Sequence, residues 1–307
     1  MTQPPSSRVQ SFSLGDLRCH LLQGGRLRLD GGAMFGVVPK PIWSRGVPPD
    51  ERNRMLLGMR CLLIEHPDGL VLIDTAMGDK DDPKFLEIYG VENRSDPGPT
   101  WLDDALREAG HEAGEVRWVI NTHLHFDHAG GNTLRETEPG GGGAKAPPLQ
   151  VRLAFPNATC IVQRNELEFA RHTNERTRAS YLPANYEPVA AAGRWRLIEG
   201  DIEILPGIRS RLTPGHVPWH QSIVVASAGE TAVFLGDVIP THHHLPLPWI
   251  MGYDLEPLRT LESKRALLHD AVAGGWRLIF EHDAEVAMGR VVAEGKGVGL
   301  VEVLKAP

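Results

Sequence analysis

The stretch Asn121-Thr122-His123-Leu124-His125-Phe126-Asp127-His128-Ala129-Gly130-Gly131 places four candidate metal ligands within six residues. It follows the apolar, β-branched run 116–121, which reads as a buried strand. It then enters glycine-rich backbone, so the cluster sits where a strand opens into a loop. In extended backbone His123 and His125 point the same way, and two imidazoles can share one ion. A turn after them aims Asp127 and His128 at a neighbouring position. Imidazole and carboxylate are ligands that zinc and related divalent ions accept. Fourteen histidines in the chain make a chance cluster the plain alternative. The tight order, with an aspartate inside it and apolar residues between, counts against chance.

Three later segments repeat the theme. Thr213-Pro214-Gly215-His216 puts a histidine after a turn that follows a strand. Phe234-Leu235-Gly236-Asp237 ends a strand on a carboxylate, and Phe280-Glu281-His282-Asp283 ends another on a histidine. Active-site groups are often carried at strand ends and loops of a rigid scaffold. Around these points, 60–65 and 70–74 read as a hairpin. A helix is expected at 101–109 with Thr100 as its N-cap, and another at 165–172. Residues 159–162, 202–212, 221–226, 231–235, 276–280 and 298–304 read as strands. Residues 255–273 carry a helical apolar face through Leu258, Leu261, Leu268 and Ala271. Runs of strands with helices between them suit β-sheets with helices packed outside, an α+β arrangement. The Pro139-Gly140-Gly141-Gly142-Gly143 segment reads as a loop insertion; it lacks the Lys-Ser/Thr ending of a phosphate-binding P-loop.

The chain has 307 residues, a hydrophobic fraction of 41% and a charged fraction of 23%, ordinary globular values. No linker is evident, so residues 1–307 are expected to form one domain with a flexible N-terminal tail of about ten residues. The net charge of −7 argues against a general phosphate-backbone binder. Nucleic acid and membrane are not expected as partners; a small-molecule substrate is, with a homodimer as the candidate assembly. Cys19, Cys61 and Cys160 are far apart and form no CxxC pair, which excludes a cysteine-rich zinc site and suits inert buried thiols. The N-terminus lacks a secretory apolar segment and no stretch reaches the length of a membrane span, so a cytoplasmic protein is expected.

With Asp74, His123-x-His125-x-Asp127-His128, His216, Asp237 and His282 in order over about 210 residues, the sequence resembles the metallo-β-lactamase-fold superfamily. The resemblance implies an αββα sandwich, two mixed β-sheets packed face to face with helices on the outer faces. It implies two divalent ions, foremost zinc, with manganese, iron or cobalt as alternatives for such donors. One ion would take His123, His125 and His216, and the other Asp127, His128 and His282. Asp237 would bridge them, and Asp74 would orient the ligand loop. Flavodiiron relatives carry glutamate at the position of His125, so the histidine favours a hydrolytic site. Single-iron sulfur dioxygenases keep the same motif and stay an alternative, as does a non-catalytic binding protein with a vestigial site.

Within the superfamily, Thr213-Pro214-Gly215-His216-x-Pro218-x-His220-Gln221-Ser222 is similar to the acyl-homoserine lactonase and methyl-parathion-hydrolase branch. That implies hydrolysis of a small lactone or carboxylic ester, with phosphotriester cleavage as a side activity. Asp127 would hold the proton of the attacking water. Those lactonases carry a tyrosine shortly after the bridging aspartate; here Val238-Ile239-Pro240-Thr241 follow, then His242-His243-His244. Met34, Phe35 and His243 are the candidate substrate contacts.

Overall fold

The computed structural model describes residues 7–95, 98–136, 150–295 and 297–306. In chain order the first half runs β1 (Val9–Leu14), β2 (Leu17–Asp30), α1 (Gly31–Phe35), α2 (Lys40–Trp43), β3 (Arg54–Glu65), β4 (Leu70–Ile73), α3 (Pro83–Tyr89), α4 (Trp101–Glu108), β5 (Val116–Ile120), α5 (Phe126–Ala129), β6 (Thr133–Arg135), β7 (Val151–Leu153), β8 (Thr159–Gln163), α6 (Arg164–Arg171), α7 (Glu187–Ala191) and β9 (Trp195–Ile198). The second half is β10 (Glu203–Leu205), β11 (Ile208–Leu212), β12 (Gln221–Ser227), β13 (Glu230–Phe234), α8 (Pro257–Gly274), β14 (Arg277–Ile279), β15 (Val286–Glu294) and β16 (Gly297–Lys305). One sheet has the order β1-β2-β3-β4-β5-β8-β9 and the other β10 through β16 in sequence. Both are mixed. β4, β5, β8 and β9 pair in parallel, as do β13 and β14, and the other neighbours pair antiparallel.

Alternation along the strands decides which side chains face inward. Leu62, Ile64, Val71, Ile73, Ile120 and Ile161 of the first sheet meet Ile208, Ile223, Val225, Phe234 and Ile279 of the second in one buried layer. The opposite face of the first sheet, through Leu63, Leu72 and Val119, packs on Leu102, Ala105 and Leu106 of α4 and on Phe35 and Trp43. The opposite face of the second, through Val233, Leu278 and Val291, packs on Leu267, Leu268 and Ala271 of α8. The result is the expected αββα sandwich.

Local expectations hold where the chemistry is local. The Thr100 side chain accepts the Asp103 N–H at the start of α4, and β3 and β4 form the hairpin. Other elements differ from expectation. The expected strand 202–212 is two strands, because Pro206 lacks an N–H and Gly207 takes a φ of 76°. Val9 and Gln10, within the ten residues expected to form a tail, pair with Leu22 and Leu21 in an antiparallel ladder. β15 was missed altogether, although it carries the last strand, β16. Pro139–Gly143 lies outside the described residues. All three cysteines are buried and free, with burial pushing Cys19 and Cys160 up to about 12, in line with inert thiols. No helix among the described residues is long and apolar enough to cross a membrane.

Phe234 is fully buried between the sheets. Phe234→Ala is expected to cost about 3–5 kcal/mol, the usual toll of emptying an aromatic core site. A urea titration checks this: the midpoint falls while the slope stays unchanged.

Candidate metal centre

The sites for chemistry lie where strands end. β4 ends at Ile73 and hands over to Asp74, which has a φ of 54°. β5 ends at Ile120, and the chain turns through Asn121 and Thr122 to His123. α5 then presents Asp127 and His128 on one short turn. From the second sheet, the loop between β11 and β12 brings His216, the end of β13 brings Asp237, and the end of β14 brings His282. The glycine pair after the motif is a packing requirement: a Cβ on Gly131 would lie 2.0 Å from the Thr75 carbonyl oxygen. That close contact seats the ligand loop against the Asp74 turn.

All seven expected ligands converge. The ligand atoms of His123, His125, His216 and Asp237 lie within 4.8 Å of one another, and so do those of Asp127, His128 and His282. Asp237 stands between the groups. Its Oδ2 is 3.1 Å from His216 Nε2, and its Oδ1 is 3.0 Å from His282 Nε2 and 3.5 Å from His128 Nε2. Two pairs of imidazole nitrogens face each other at 3.1 Å, His216 Nε2 with His125 Nδ1 and His282 Nε2 with His128 Nε2. Asp127 lies 3.8 Å from His282 Nε2 and borders the cavity.

These residues fit bound cations. His123 Nε2 and Asp237 Oδ1 are buried with no hydrogen-bond partner among the described residues. Such atoms are costly unless something meets them. Burial, then the neighbouring imidazoles, hold His123 and His125 well below the usual histidine range, which leaves the neutral form that binds metal. Burial opposes charge on His282 as well, but the Asp237 carboxylate outweighs it and holds this imidazole up to about 9. Burial also opposes ionisation of Asp237, yet the facing imidazoles His128, His282 and His216 hold it well below the carboxylate range. The site is thus built around anionic oxygen in need of positive charge.

The outer nitrogens are held from behind, as metal-ligating histidines require. The Thr122 backbone N–H and hydroxyl donate to Asp74 at 2.7 Å each, and His128 Nδ1 lies 3.1 Å from Asp74 Oδ2. Asp254 Oδ1 lies 2.9 Å from His216 Nδ1, and Gly58 O lies 2.7 Å from His282 Nδ1. Glu281 Oε2 is 3.0 Å from His128 Nδ1. Buried Glu166 accepts the Leu124 N–H at 3.0 Å and the Tyr181 hydroxyl at 2.9 Å, and the Tyr181 ring lies edge-on to His125. Sequence reading missed Asp254, Glu281, Glu166 and Tyr181. Only Glu281 had an available signal, its place beside His282.

A cavity of about 420 Å³ opens over the centre, bordered by His125, Asp127, His216, Asp237 and His282. Its walls include Met34, Leu57, Phe126, Met251, Leu255, Tyr89 and Tyr253, with Arg176, Thr177 and Ser180 also lining it. Met34 therefore stands where expected. Phe35 and His243 do not. Phe35 is buried, stacked on Trp43 and His244. His243 packs on the His242 ring, with Gly46 beside it, outside the cavity. Sequence proximity to Asp237 was misleading because the chain turns away there: His244 bonds the Met34 carbonyl and His242 bonds Asp283.

With this geometry in place, the family model described as the Metallo-beta-lactamase superfamily matches residues 59–282. The chain belongs to that superfamily. It is 33% identical over 181 residues to the N-acyl homoserine lactonase AiiA of Bacillus thuringiensis subsp. kurstaki, covering 57% of this chain and 61% of that protein. The match thus spans about three fifths of the relative's length. The N-acyl homoserine lactonase AttM of Rhizobium radiobacter is 26% identical, over 83% of this chain and 91% of its own. A probable metal-dependent hydrolase from Staphylococcus aureus is 29% identical and superposes with a TM-score of 0.82, over 95% of this chain and all of that one.

Burial raises the Glu166 carboxyl from 4.5 to about 7. The folded protein then keeps a proton that the unfolded chain has released, so this group's contribution to stability falls as pH rises from 4.5 to about 7. Glu166→Gln is expected to flatten that part of the stability–pH curve. Denaturation at several pH values checks it; parallel curves for variant and wild type would contradict the assignment.

Proposed function

We propose that this protein is a two-metal hydrolase that opens a small lactone or cleaves a carboxylic ester, with phosphotriester cleavage as a side activity. The observation that carries the proposal is the placement of Asp237, with one oxygen facing each of two ligand groups. His123, His125 and His216 would hold one ion, Asp127, His128 and His282 the other, with Asp237 shared. Nitrogen and oxygen donors of this kind suit zinc first, then manganese, iron or cobalt. When bound, such a pair supplies Lewis acidity and a water acidic enough to ionise near neutral pH.

The chain's own groups do the rest. Asp127, which borders the cavity, would take the proton of the attacking water and return it to the leaving oxygen. Water adds to the acyl carbon, the ring or ester C–O bond breaks, and the alkoxide takes the proton, giving a hydroxy acid from a lactone or an acid and an alcohol from an ester. Met34, Leu57, Phe126, Met251 and Leu255 exclude bulk water and hold an apolar acyl portion. Tyr89 and Tyr253 bring phenol groups to a cavity whose aspartate is followed by no tyrosine. The names of the AiiA and AttM relatives support an acyl-homoserine lactone as the first substrate to try. The two ligand groups favour two ions over the single iron of a sulfur dioxygenase, and the complete donor set disfavours a vestigial site.

Metal analysis and a lactone and ester panel on one preparation test this reading. About two zinc-like ions at this centre and lactone turnover are expected, and His123→Ala or Asp237→Ala should lose those ions and turnover. One iron per chain with no ester or lactone turnover would refute it. Asp74→Ala, which removes the carboxylate behind Thr122 and His128, should weaken zinc affinity about 10–100-fold. Competition with a chromogenic chelator measures that shift.

A further inference from the structure

A second convergence of metal-binding side chains lies at the opposite end of the strands of the first sheet. β3 runs antiparallel to β4, with Ile64 paired to Val71 and Leu62 to Ile73. Glu65, at the end of β3, is therefore at the far end from the Asp74 turn. Three elements meet there: His20 from β2, Glu65 from β3, and His111 from the loop after α4. Their ligand atoms lie within 4.8 Å of one another. His20 Nε2 is 2.9 Å and His111 Nε2 is 3.4 Å from the same oxygen, Glu65 Oε1.

We infer that His20, Glu65 and His111 form a second site for a zinc-type divalent cation, separate from the centre described above. Metal–nitrogen and metal–oxygen bonds of 2.0–2.2 Å put neighbouring tetrahedral ligands about 3.3 Å apart. The His111–Glu65 separation already matches. The His20–Glu65 pair needs a few tenths of an ångström, which a partly exposed Glu65 side chain supplies by rotation.

His20 is 1% exposed and its orientation is fixed from behind, since its Nδ1 lies 2.8 Å from the Ser11 hydroxyl. A serine hydroxyl either donates or accepts. The His20 proton can therefore move to Nδ1 and stay hydrogen-bonded while Nε2 turns its lone pair to an ion. Burial on the His20 side with side-chain exposures of 34% at Glu65 and 20% at His111 gives a held ligand behind and an open position for water in front. Arg18 is the competing cation, with Nε 3.7 Å from Glu65 Oε1. Its side chain is 64% exposed and free to swing into solvent. The alternative arrangement is a carboxylate that merely bridges two imidazoles through hydrogen bonds.

Zinc content decides between them. The full chain, its His111→Ala variant and its Glu65→Gln variant are each equilibrated with zinc stepped through the micromolar range. They are then desalted, and zinc per chain is measured by mass spectrometry. Each variant is expected to hold about one zinc fewer than wild type while keeping turnover within about twofold. Excess zinc should raise the wild-type melting temperature more than that of either variant. Both positions are partly exposed, so the variants are expected to fold; His123→Ala, which empties the other centre, should keep the extra equivalent. Equal zinc content in wild type and both variants, with equal melting shifts, would overturn the second site and leave the hydrolytic centre untouched.

Discussion

The carboxylate of Asp237 stands between two groups of imidazoles, and that placement constrains both sheets at once. Asp237, His216 and His282 come from the second sheet, and His123, His125, Asp127 and His128 from the first. Contacts of 3.1–3.5 Å between these sets, His216 with His125, His282 with His128 and Asp237 with His128, leave little room for one sheet to slide over the other. Each sheet contains parallel neighbours, β4 with β5 and β13 with β14, whose carboxyl ends deliver the ligands. A one-residue slip in either would turn the end residues to the wrong face. The apolar layer between the sheets, with Ile73, Ile120, Phe234 and Ile279 just before the site residues, is what holds that alignment.

Holding so many polar groups in the interior is expensive, and the structure meets the cost by giving the outer nitrogens partners. Thr122, Asp74, Asp254 and the Gly58 carbonyl each stand behind one imidazole. Glu166 ties the backbone between His123 and His125 to helix α6. Two buried atoms without a hydrogen-bond partner among the described residues, His123 Nε2 and Asp237 Oδ1, belong to the ligand groups themselves, while Glu166 Oε2 and both Glu281 oxygens lack one behind them. Partnered outer nitrogens together with unpartnered ligand atoms are what a preorganised cation site requires.

Much of this was legible in order of residues, and the failures have physical causes. Strands 60–65, 116–121 and 221–226 were readable because each carries a compact apolar, largely β-branched stretch, such as Trp118-Val119-Ile120 and Ile223-Val224-Val225. β2 was not: it carries Gln23, Arg26 and Arg28, and its register shifts between Gln23 and Arg26 around two glycines. β15 alternates less clearly, and its pairing with β16 is itself irregular. The supporting residues were hidden for another reason. Asp254 is 38 residues from His216, and Glu166 is 42 from Leu124. No local spacing announces such a partner. His243 failed the other way, because nearness along the chain to a motif says little about which side of a loop faces a cavity, and Phe35, although next to Met34, is stacked on Trp43 and His244.

The order of residues by itself determined the donor chemistry: imidazoles and carboxylates, spaced two and three apart at the mouth of a strand, with further donors at later strand ends. Those features are local, since side-chain direction along a strand or through one turn follows from backbone geometry alone. Only the tertiary structure decided which oxygen of Asp237 faces which imidazoles, which residues stand behind them, and that Met34 rather than Phe35 reaches the cavity. Those depend on how two sheets and the loops over them pack, and packing is settled by contacts between residues far apart in the chain.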